Sequence, residues 1–175
     1  MIHASPAGRA CLCPYVRESV AEDIVYLEPR LRDADKREIR DVTGLEPMAS
    51  LSLGYKISKP CFTLLAPKTG DPFAILGVVP EQHFPEIGTI WMHCTNDLPS
   101  FSFLRYAKTV LYDIIGGQYG YKVVSNYIDA RNEVHVRWLR WMGAKLLDVV
   151  YIEGSGVPVH PFIINLERRL PVCAE

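Results

Sequence analysis

The chain has 175 residues, of which 49% are hydrophobic and 22% charged, a composition that argues against a disordered or fibrous protein and predicts one domain with its own core. Its formal net charge of -1 gives no electrostatic reason to expect nucleic acid or an anionic membrane as the main partner. No run of about 18 apolar residues occurs, so no membrane-spanning helix is predicted.

The first residues, MIHASPAGRACLCP, contain no continuous apolar segment, so a secretory signal is not expected and residues 1–13 are predicted to be an irregular arm. The odd number of cysteines, 5, predicts reduced thiols in a cytoplasm. Cys11 and Cys13, with His3 nearby, lack the second cysteine pair and the spacing of a structural zinc site. No metal is therefore predicted.

The first regular elements are a short strand over residues 14–18 and a helix that follows it. Ser19-Val-Ala-Glu22 matches a capping box, and an apolar residue recurs every three or four positions after it. The residues of this helical face are Val20, Ile24, Leu27 and Leu31. The pattern predicts a helix that begins at Ser19.

The next segment, Arg32–Arg40, is dense in charges of both signs and is interpreted as a solvated helical turn. The alternative is a lip over a substrate site or a docking surface. Gly44 is predicted to end this turn, and Pro47 to begin another helix that Pro60 stops. That helix would bury Met48, Leu51 and Tyr55.

Three strands are predicted next, because the spacing of apolar residues becomes continuous or alternating. They cover residues 61–66, 73–79 and 88–94, and the first two are joined by a glycine-containing turn as a hairpin. A proline-bounded loop, 80–86, separates the second strand from the third.

The remaining chain predicts helix, strand, helix and two strands. The helix extends from Pro99 to Gly116-Gly117, the strand covers 121–126, and the second helix begins at Asn132. Its predicted inner face consists of Val134, Trp138, Trp141 and Met142. The last strands are 145–152 and 159–166. The fold class is therefore α/β (α+β), with a mixed, mostly antiparallel sheet and helices on both faces, in one domain over residues 14–166 followed by a tail, 167–175.

This order of elements resembles the GCN5-related N-acetyltransferase fold, in which the central strands splay apart to admit acetyl-CoA. The most specific piece is the strand, Asn132, helix and Gly143, which is similar to that family's N-x-x-A…Y-x-x-x-G-F segment. The resemblance covers about residues 14–166. It implies that Asn132 contacts the cofactor.

A closer resemblance is to the acetyltransferase-like virion proteins of short-tailed phages, the internal virion protein A group. It rests on the order and spacing of short segments. These are Leu31-Arg-Asp-Ala-Asp-Lys-Arg-Glu38, Gly77-Val, Gly88-Thr-Ile-Trp91, Val124-Ser-Asn126, Asp129-Ala-Arg-Asn132 and Arg137-Trp-Leu…Gly143. The resemblance implies a virion protein, made in the host cytoplasm, whose partners are other virion proteins of the internal core, portal or tail.

The resemblance also shows what an acyl-CoA transferase would need at the diphosphate. The family uses a glycine-rich loop whose N–H groups hold this anion. Residues 95–105, at the corresponding position, contain no glycine, and Pro99 removes one N–H donor. Arg105 and Lys108 could supply positive charge only as side chains. If the protein is a non-catalytic virion protein, no cofactor is therefore expected. If it is instead an N-acetyltransferase, acetyl-CoA is the expected cofactor.

The general acid is the second requirement. The family's tyrosine, seven residues after the asparagine, corresponds to Leu139, which cannot donate a proton. Tyr127 or Tyr151 is an alternative donor.

The base is the third requirement, and His93 is the best candidate because its ordinary pKa lies near neutrality. Glu86 and Glu133 are weaker candidates, and His135 is predicted to face solvent. Cys94 adjoins His93, but neighbouring strand residues point to opposite faces, which argues against a thiol–histidine pair. Trp91 and Trp138 are interpreted as core residues.

We therefore predict a non-catalytic virion or assembly protein on an acetyltransferase-like scaffold. The alternative is an acetyl-CoA-dependent N-acetyltransferase that acts on an amine, and a further one is a ligand-binding module without turnover.

Overall fold

A computed structural model describes residues 15–96 and 106–167. The predicted N-terminal arm, the glycine-free loop apart from its first two residues, Arg105 and most of the predicted tail lie outside these ranges. The helices are α1 (Ala21–Leu27), α2 (Asp33–Thr43), α3 (Pro47–Ile57), α4 (Thr109–Gln118) and α5 (Glu133–Met142), with a 3₁₀ turn at Glu28–Arg30. The strands are β1 (Val16–Glu18), β2 (Cys61–Leu65), β3 (Pro72–Pro80), β4 (Ile87–Cys94), β5 (Val123–Asp129), β6 (Lys145–Leu146), β7 (Val150–Tyr151) and β8 (Pro158–Asn165).

The described strands form one sheet in the order β1-β2-β3-β4-β5-β8-β6, with β7 also paired to β8. Every pair is antiparallel except β4–β5, which is parallel. Side chains alternate between two cores: Leu76 and Val78 of β3 pack with α4 and α5, whereas Ile75 packs with α1, α2 and α3. The predicted fold class, with helices on both faces, is confirmed. Within the described ranges, no helix has the length and apolar character required to cross a bilayer.

The start of α1 differs from its prediction. The helix begins at Ala21, and its cap is made by Asp23, whose carboxylate accepts the Val20 N–H at 2.9 Å. The Ser19 hydroxyl instead donates to the Thr63 hydroxyl of β2 at 2.9 Å, and Thr63 uses its own hydrogen to donate to Asp23 at 2.7 Å. The predicted capping box is therefore wrong by one residue, because the tertiary partner on β2 engages Ser19.

The charged segment that follows is a full helix, α2, and the interpretation as a solvated turn is wrong. Asp35 and Ile39 on this helix are buried. Gly44 ends α2 with a φ of 69°, in the left-handed region that favours glycine, as predicted. The predicted start of α3 at Pro47 is confirmed.

Three later predictions also need correction. The helix predicted to end at Gly116-Gly117 continues to Gln118 in a π-helical winding, in which the Tyr119 N–H donates to the Ile114 carbonyl. The predicted strand 145–152 is split into β6 and β7. The inner face of α5 is Val136, Leu139 and Met142, which recur at helical spacing, whereas Val134 is 65% and Trp141 43% exposed.

Candidate functional site

The parallel strands β4 and β5 separate after three paired residues. Their ladder consists of Ile87↔Val123, Gly88↔Val124 and Thr89↔Ser125, although β4 continues to Cys94 and β5 to Asp129. Asn126 crosses the start of the opening, where its Nδ2 donates to the Ile90 carbonyl at 2.7 Å. The N–H and C=O of Met92 point to the same side of β4 as those of Ile90, because the direction of the backbone groups alternates from one residue to the next along a strand. Beyond the end of the ladder, these groups of Met92 have no β5 partner.

A cavity of about 340 Å³ passes through the sheet at this opening. Its wall includes Ile90 and Met92, which pack toward α4 and α5, and also Trp91, which packs toward α1–α3. The two faces of the sheet are therefore connected here. Other strands and the helices contribute the rest of the wall. The helical residues include Glu38, Ile39 and Val42 of α2, Leu53 and Ile57 of α3, Val110 and Leu111 of α4, and His135, Trp138 and Leu139 of α5.

Helix α2 spans the wide end of the opening and is bonded to both strands. On the β4 side, the Asp35 carboxylate accepts the Cys94 N–H at 2.8 Å, and the Arg32 N–H donates to the Cys94 carbonyl at 3.0 Å. On the β5 side, Glu38 accepts the Asp129 N–H at 3.4 Å. We call α2 with these contacts the strap.

The strap has a third contact, from Asp41 to the Arg131 guanidinium at 2.7 Å. Asp35, Glu38 and Asp41 are three residues apart in turn, so their side chains lie along one face of α2. Arg32 pairs with Asp35 at 2.6 Å, and Arg131 pairs with Asp129 at 2.7 Å. Each end of the strap is therefore an ion pair that also holds a strand terminus.

Glu38 lies at the centre of the strap and on the cavity wall. Its pKa is raised from 4.5 to about 7, chiefly by burial and also by the neighbouring carboxylates Asp35 and Asp129, while the N–H bond from Asp129 and the Arg32 charge act in the opposite direction. A carboxyl group with this pKa can accept and release a proton at neutral pH. Sequence reasoning did not single out Glu38, although the interpretation of its segment as a lip over a site pointed to this helix.

The two histidines of the region both line the cavity. Burial lowers the pKa of His93, which projects from β4. His135 was predicted to face solvent, but it lines the cavity, and burial together with the Arg32 charge lowers its pKa from 6.5 to about 4. The prediction was wrong because His135 lies one position before the buried Val136 and next to the strap. Both imidazoles are therefore neutral at pH 7.

Three buried polar atoms on α5 have no hydrogen-bond partner among the described residues: Asn132 Nδ2, His135 Nδ1 and Trp138 Nε1. Asn132 caps α5, and its other side-chain atom, Oδ1, accepts the His135 N–H at 3.3 Å. Buried polar groups are normally paired, so the unpaired polar atoms of His135 and Trp138, which line the cavity, indicate a place where a polar ligand would bind.

Three residues were predicted to hold a cofactor. Asn132 caps the N-terminus of α5 and is not part of the cavity wall, and Arg105 lies outside the described residues. The Lys108 ammonium lies 3.9 Å from the centre of the Trp141 ring. This contact covers Trp141, which was predicted to be in the core but lies on the outer side of α5.

The candidate proton donors occupy different places. Leu139, at the position of the family's tyrosine, is buried and lines the cavity, so this position faces the site but supplies no proton. Tyr127 lines the cavity and is half exposed, whereas Tyr151 is 73% exposed on β7 and is not part of the wall. Burial raises the pKa of Cys94 to about 12, and Cys94 packs on the sheet face opposite to Trp91, which agrees with the argument against thiol chemistry.

Solved structures of N-acetyltransferases share this architecture. Spermidine N-acetyltransferase from Vibrio cholerae, in complex with CoA and spermine, matches with a TM-score of 0.62 and 12% identity over 87% of this chain and 95% of that chain. A phosphinothricin acetyltransferase from Sinorhizobium meliloti, in complex with AcCoA, matches with a TM-score of 0.62 and 12% identity, over 86% of this chain and 87% of that chain.

A GCN5-related N-acetyltransferase from Kribbella flavida matches with a TM-score of 0.63 and 15% identity, over 86% of this chain and 96% of that chain. No protein-family profile and no curated protein matches the sequence. At these identities the structural matches establish the fold, and the chain has the GCN5-related N-acetyltransferase fold. They give no support to the phage virion assignment, which stays a prediction.

Proposed function

We propose that this protein transfers an acyl group from an acyl-CoA, such as acetyl-CoA, to an amine that enters from the α2–α3 side. The observation that carries the proposal is Glu38. This carboxyl group, with a pKa of about 7, lies on the wall of a cavity that connects the two faces of the sheet where β4 and β5 separate. The acetyltransferase fold of the similar structures supports it.

The residues on the α4–α5 side fit the acyl-pantetheine end of such a cofactor. The N–H and C=O of Met92, which have no β5 partner, and the N–H of Trp138, which is unpaired among the described residues, suit amide groups. Val110, Leu111 and Leu139 suit alkyl segments. When bound, the thioester supplies an acyl carbon that a neutral amine can attack. Residues 97–105, which follow β4 in the sequence, are outside the described ranges.

The chain's own residues would then hold and move protons. An amine arrives largely as an ammonium ion at neutral pH, and Glu38 is placed to remove a proton from it because a pKa of about 7 lets it act in both directions. His93 also lies on the cavity wall, and its lowered pKa leaves the imidazole neutral, so it is the alternative base. Tyr127 is the hydroxyl on this wall that could return a proton to the leaving thiol, since Leu139 cannot.

The test combines binding and turnover. Calorimetric titration with acetyl-CoA should give saturable binding, and thiol release with a panel of amines should give turnover. Glu38→Gln should lower kcat/KM by roughly 10²–10⁴-fold while the cofactor still binds. The matched control is Glu46→Gln, an exposed carboxylate paired with Arg40 outside the cavity, which should leave both readouts unchanged. Absence of binding at millimolar acetyl-CoA would overturn the proposal, and loss of turnover in His93→Gln but not in Glu38→Gln would assign the base to His93.

A non-catalytic role, with other virion proteins as partners, is the second proposal. The strap favours it, because Asp35 and Arg32 already occupy the edge N–H and C=O of Cys94, where an extended ligand would otherwise bond to β4. The same titration tests it: saturable binding of acetyl-CoA together with amine-dependent thiol release would overturn it.

A further inference from the structure

The α2–α3 side of the cavity has an apolar mouth. Leu45, Leu53 and Ile57 line the cavity, although their side chains are 36%, 49% and 45% exposed. Val42 of α2 adds to the same side. Apolar side chains that are exposed and also line a cavity form a surface that an apolar ligand would remove from water.

Trp91 forms a fixed wall of this cavity. Its indole lies between two glycines, since a Cβ on Gly54 of α3 or Gly77 of β3 would come within 2.7 or 2.8 Å of its ring atoms. Its Nε1 donates to the Ser58 hydroxyl at 2.8 Å, which fixes the plane of the ring. The cavity wall therefore includes a flat aromatic surface whose orientation is set by backbone contacts and one hydrogen bond.

The charges around the cavity are few and mostly paired. Among the described lining residues, Glu38 is the one carboxylate, and none is lysine or arginine. The neighbouring carboxylates are already engaged, Asp35 by Arg32 and both Asp41 and Asp129 by Arg131. A ligand with one ammonium group would find a partner in Glu38. A second ammonium at the partly exposed apolar mouth would lose part of its water without gaining a counter-ion among the described lining residues, which is costly.

We propose that the acceptor is a small primary monoamine carried on an apolar alkyl or aryl-alkyl body, and not a polyamine. This inference rests on the proposed acyl transfer. The apolar body lies against Leu53, Ile57 and the Trp91 ring, and the nitrogen points to Glu38. The new bond joins the amine nitrogen to the acyl carbon, and the carbon–sulfur bond breaks. Of the two protons that the ammonium loses, one goes to Glu38 and on to solvent, and the other ends on the thiol.

The experiment measures thiol release from acetyl-CoA with two amines of equal length, hexylamine and 1,6-diaminohexane, which differ by one terminal amino group. We expect kcat/KM to be at least about tenfold higher for hexylamine, because the second ammonium has no partner in the mouth. Equal or higher kcat/KM for the diamine would overturn the acceptor class and leave the acyl transfer standing. Release of no thiol from either amine or from spermidine would overturn the proposed function and this inference with it.

A variant sharpens the assignment to the mouth. Leu53→Asp places a carboxylate where the second ammonium would lie, and should shift the preference toward the diamine by about tenfold or more. Leu53 is exposed, so the change should not prevent folding. Val25→Asp is the matched control on α1, 66% exposed and outside the cavity wall, and should keep the original preference. An unchanged preference in Leu53→Asp would overturn the placement of the acceptor at this mouth.

Discussion

The two ends of the β4–β5 junction are held by different forces. At the narrow end, three residue pairs form a backbone ladder, and Gly88 lies so close to Val78 and Tyr121 that a Cβ there would be 2.4 Å from a valine methyl. At the wide end the strands have separated, and α2 connects them through Asp35 and Glu38. Backbone pairing does not depend on ionisation near neutral pH, whereas carboxylates titrate. The wide end should therefore be the part of this fold that responds to charge mutation and to pH.

The largest effect is expected from Asp35→Ala, which removes the β4 contact of the strap. The variant leaves the Arg32 guanidinium without its carboxylate and the buried Cys94 N–H without its acceptor. Breaking a buried ion pair on one side costs about 3–5 kcal/mol, which corresponds to a Tm lowered by roughly 6–20 °C for a domain of this size. Thermal and urea unfolding measure it.

Two further variants serve as controls for Asp35→Ala. Asp35→Asn keeps an acceptor for the Cys94 N–H and should recover part of the loss. Asp33→Ala, at an exposed position in the first turn of the same helix, should cost less than about 1 kcal/mol. If Asp33→Ala destabilised the protein as much as Asp35→Ala, the loss would come from the helix and not from the strap.

The next effect is a pH dependence in which two groups oppose each other. Folding raises the pKa of Glu38 from 4.5 to about 7, so its contribution is present at low pH and is lost as the pH rises through this window. Folding lowers the pKa of His135 from 6.5 to about 4, so its contribution is present at high pH and is lost as the pH falls through that window. Between pH 4.5 and 6.5 these two slopes, each about 1.4 kcal/mol per pH unit, should nearly cancel, which leaves the contribution of His93, whose pKa burial also lowers.

Single substitutions should reveal each group's pH dependence when the free energy of unfolding is measured by urea unfolding at a series of pH values. In Glu38→Gln, stability should rise by roughly 3 kcal/mol from pH 4 to 6.5, to which His93 adds in the same direction. In His135→Gln, the Glu38 titration should lower the free energy of unfolding as the pH rises from 4.5 to 7, partly opposed by His93 below pH 6.5. Asp23 and Asp129, whose pKa values are lowered, lose their contributions only below 3.8. A wild-type slope that neither variant alters would contradict the placement of these groups.

The sequence predicted most of the fold and only part of the site. The α3 helix and the β2–β3 hairpin were predictable because their apolar spacing and their proline and glycine boundaries are local signals. The resemblance also marked one position that faces the cavity, since Leu139 occupies the place of the family's tyrosine, and it marked Asn132, which caps α5.

The strap was not predictable from the same signals. A run of mixed charges is usually solvated, and nothing in Arg32–Arg40 shows that Asp35 will accept an N–H from β4, 59 residues away. Glu38 depends on a similar contact with β5, 91 residues away. His135 was misplaced because a histidine beside charged residues on a helix is typical of a solvent face. Burial of polar groups depends on tertiary partners that hydrophobic periodicity does not contain.

The smallest effect is expected at the outer contact of the strap, in Asp41→Asn. The Arg131 side chain is 44% exposed and keeps Asp129 as a partner, so loss of Asp41 should cost no more than about 1 kcal/mol and less at high salt. Urea unfolding of the single variants and of the double variant with Asp35→Ala measures the coupling between the two ends of the strap. Additive losses would mean that each strand is held independently, as the separation of the two ion pairs along α2 implies. A coupling free energy of about 1 kcal/mol or more between the two substitutions would show that α2 closes the opening as one cooperative unit. The wide end, although side chains hold it, would then resemble the narrow end in cooperativity.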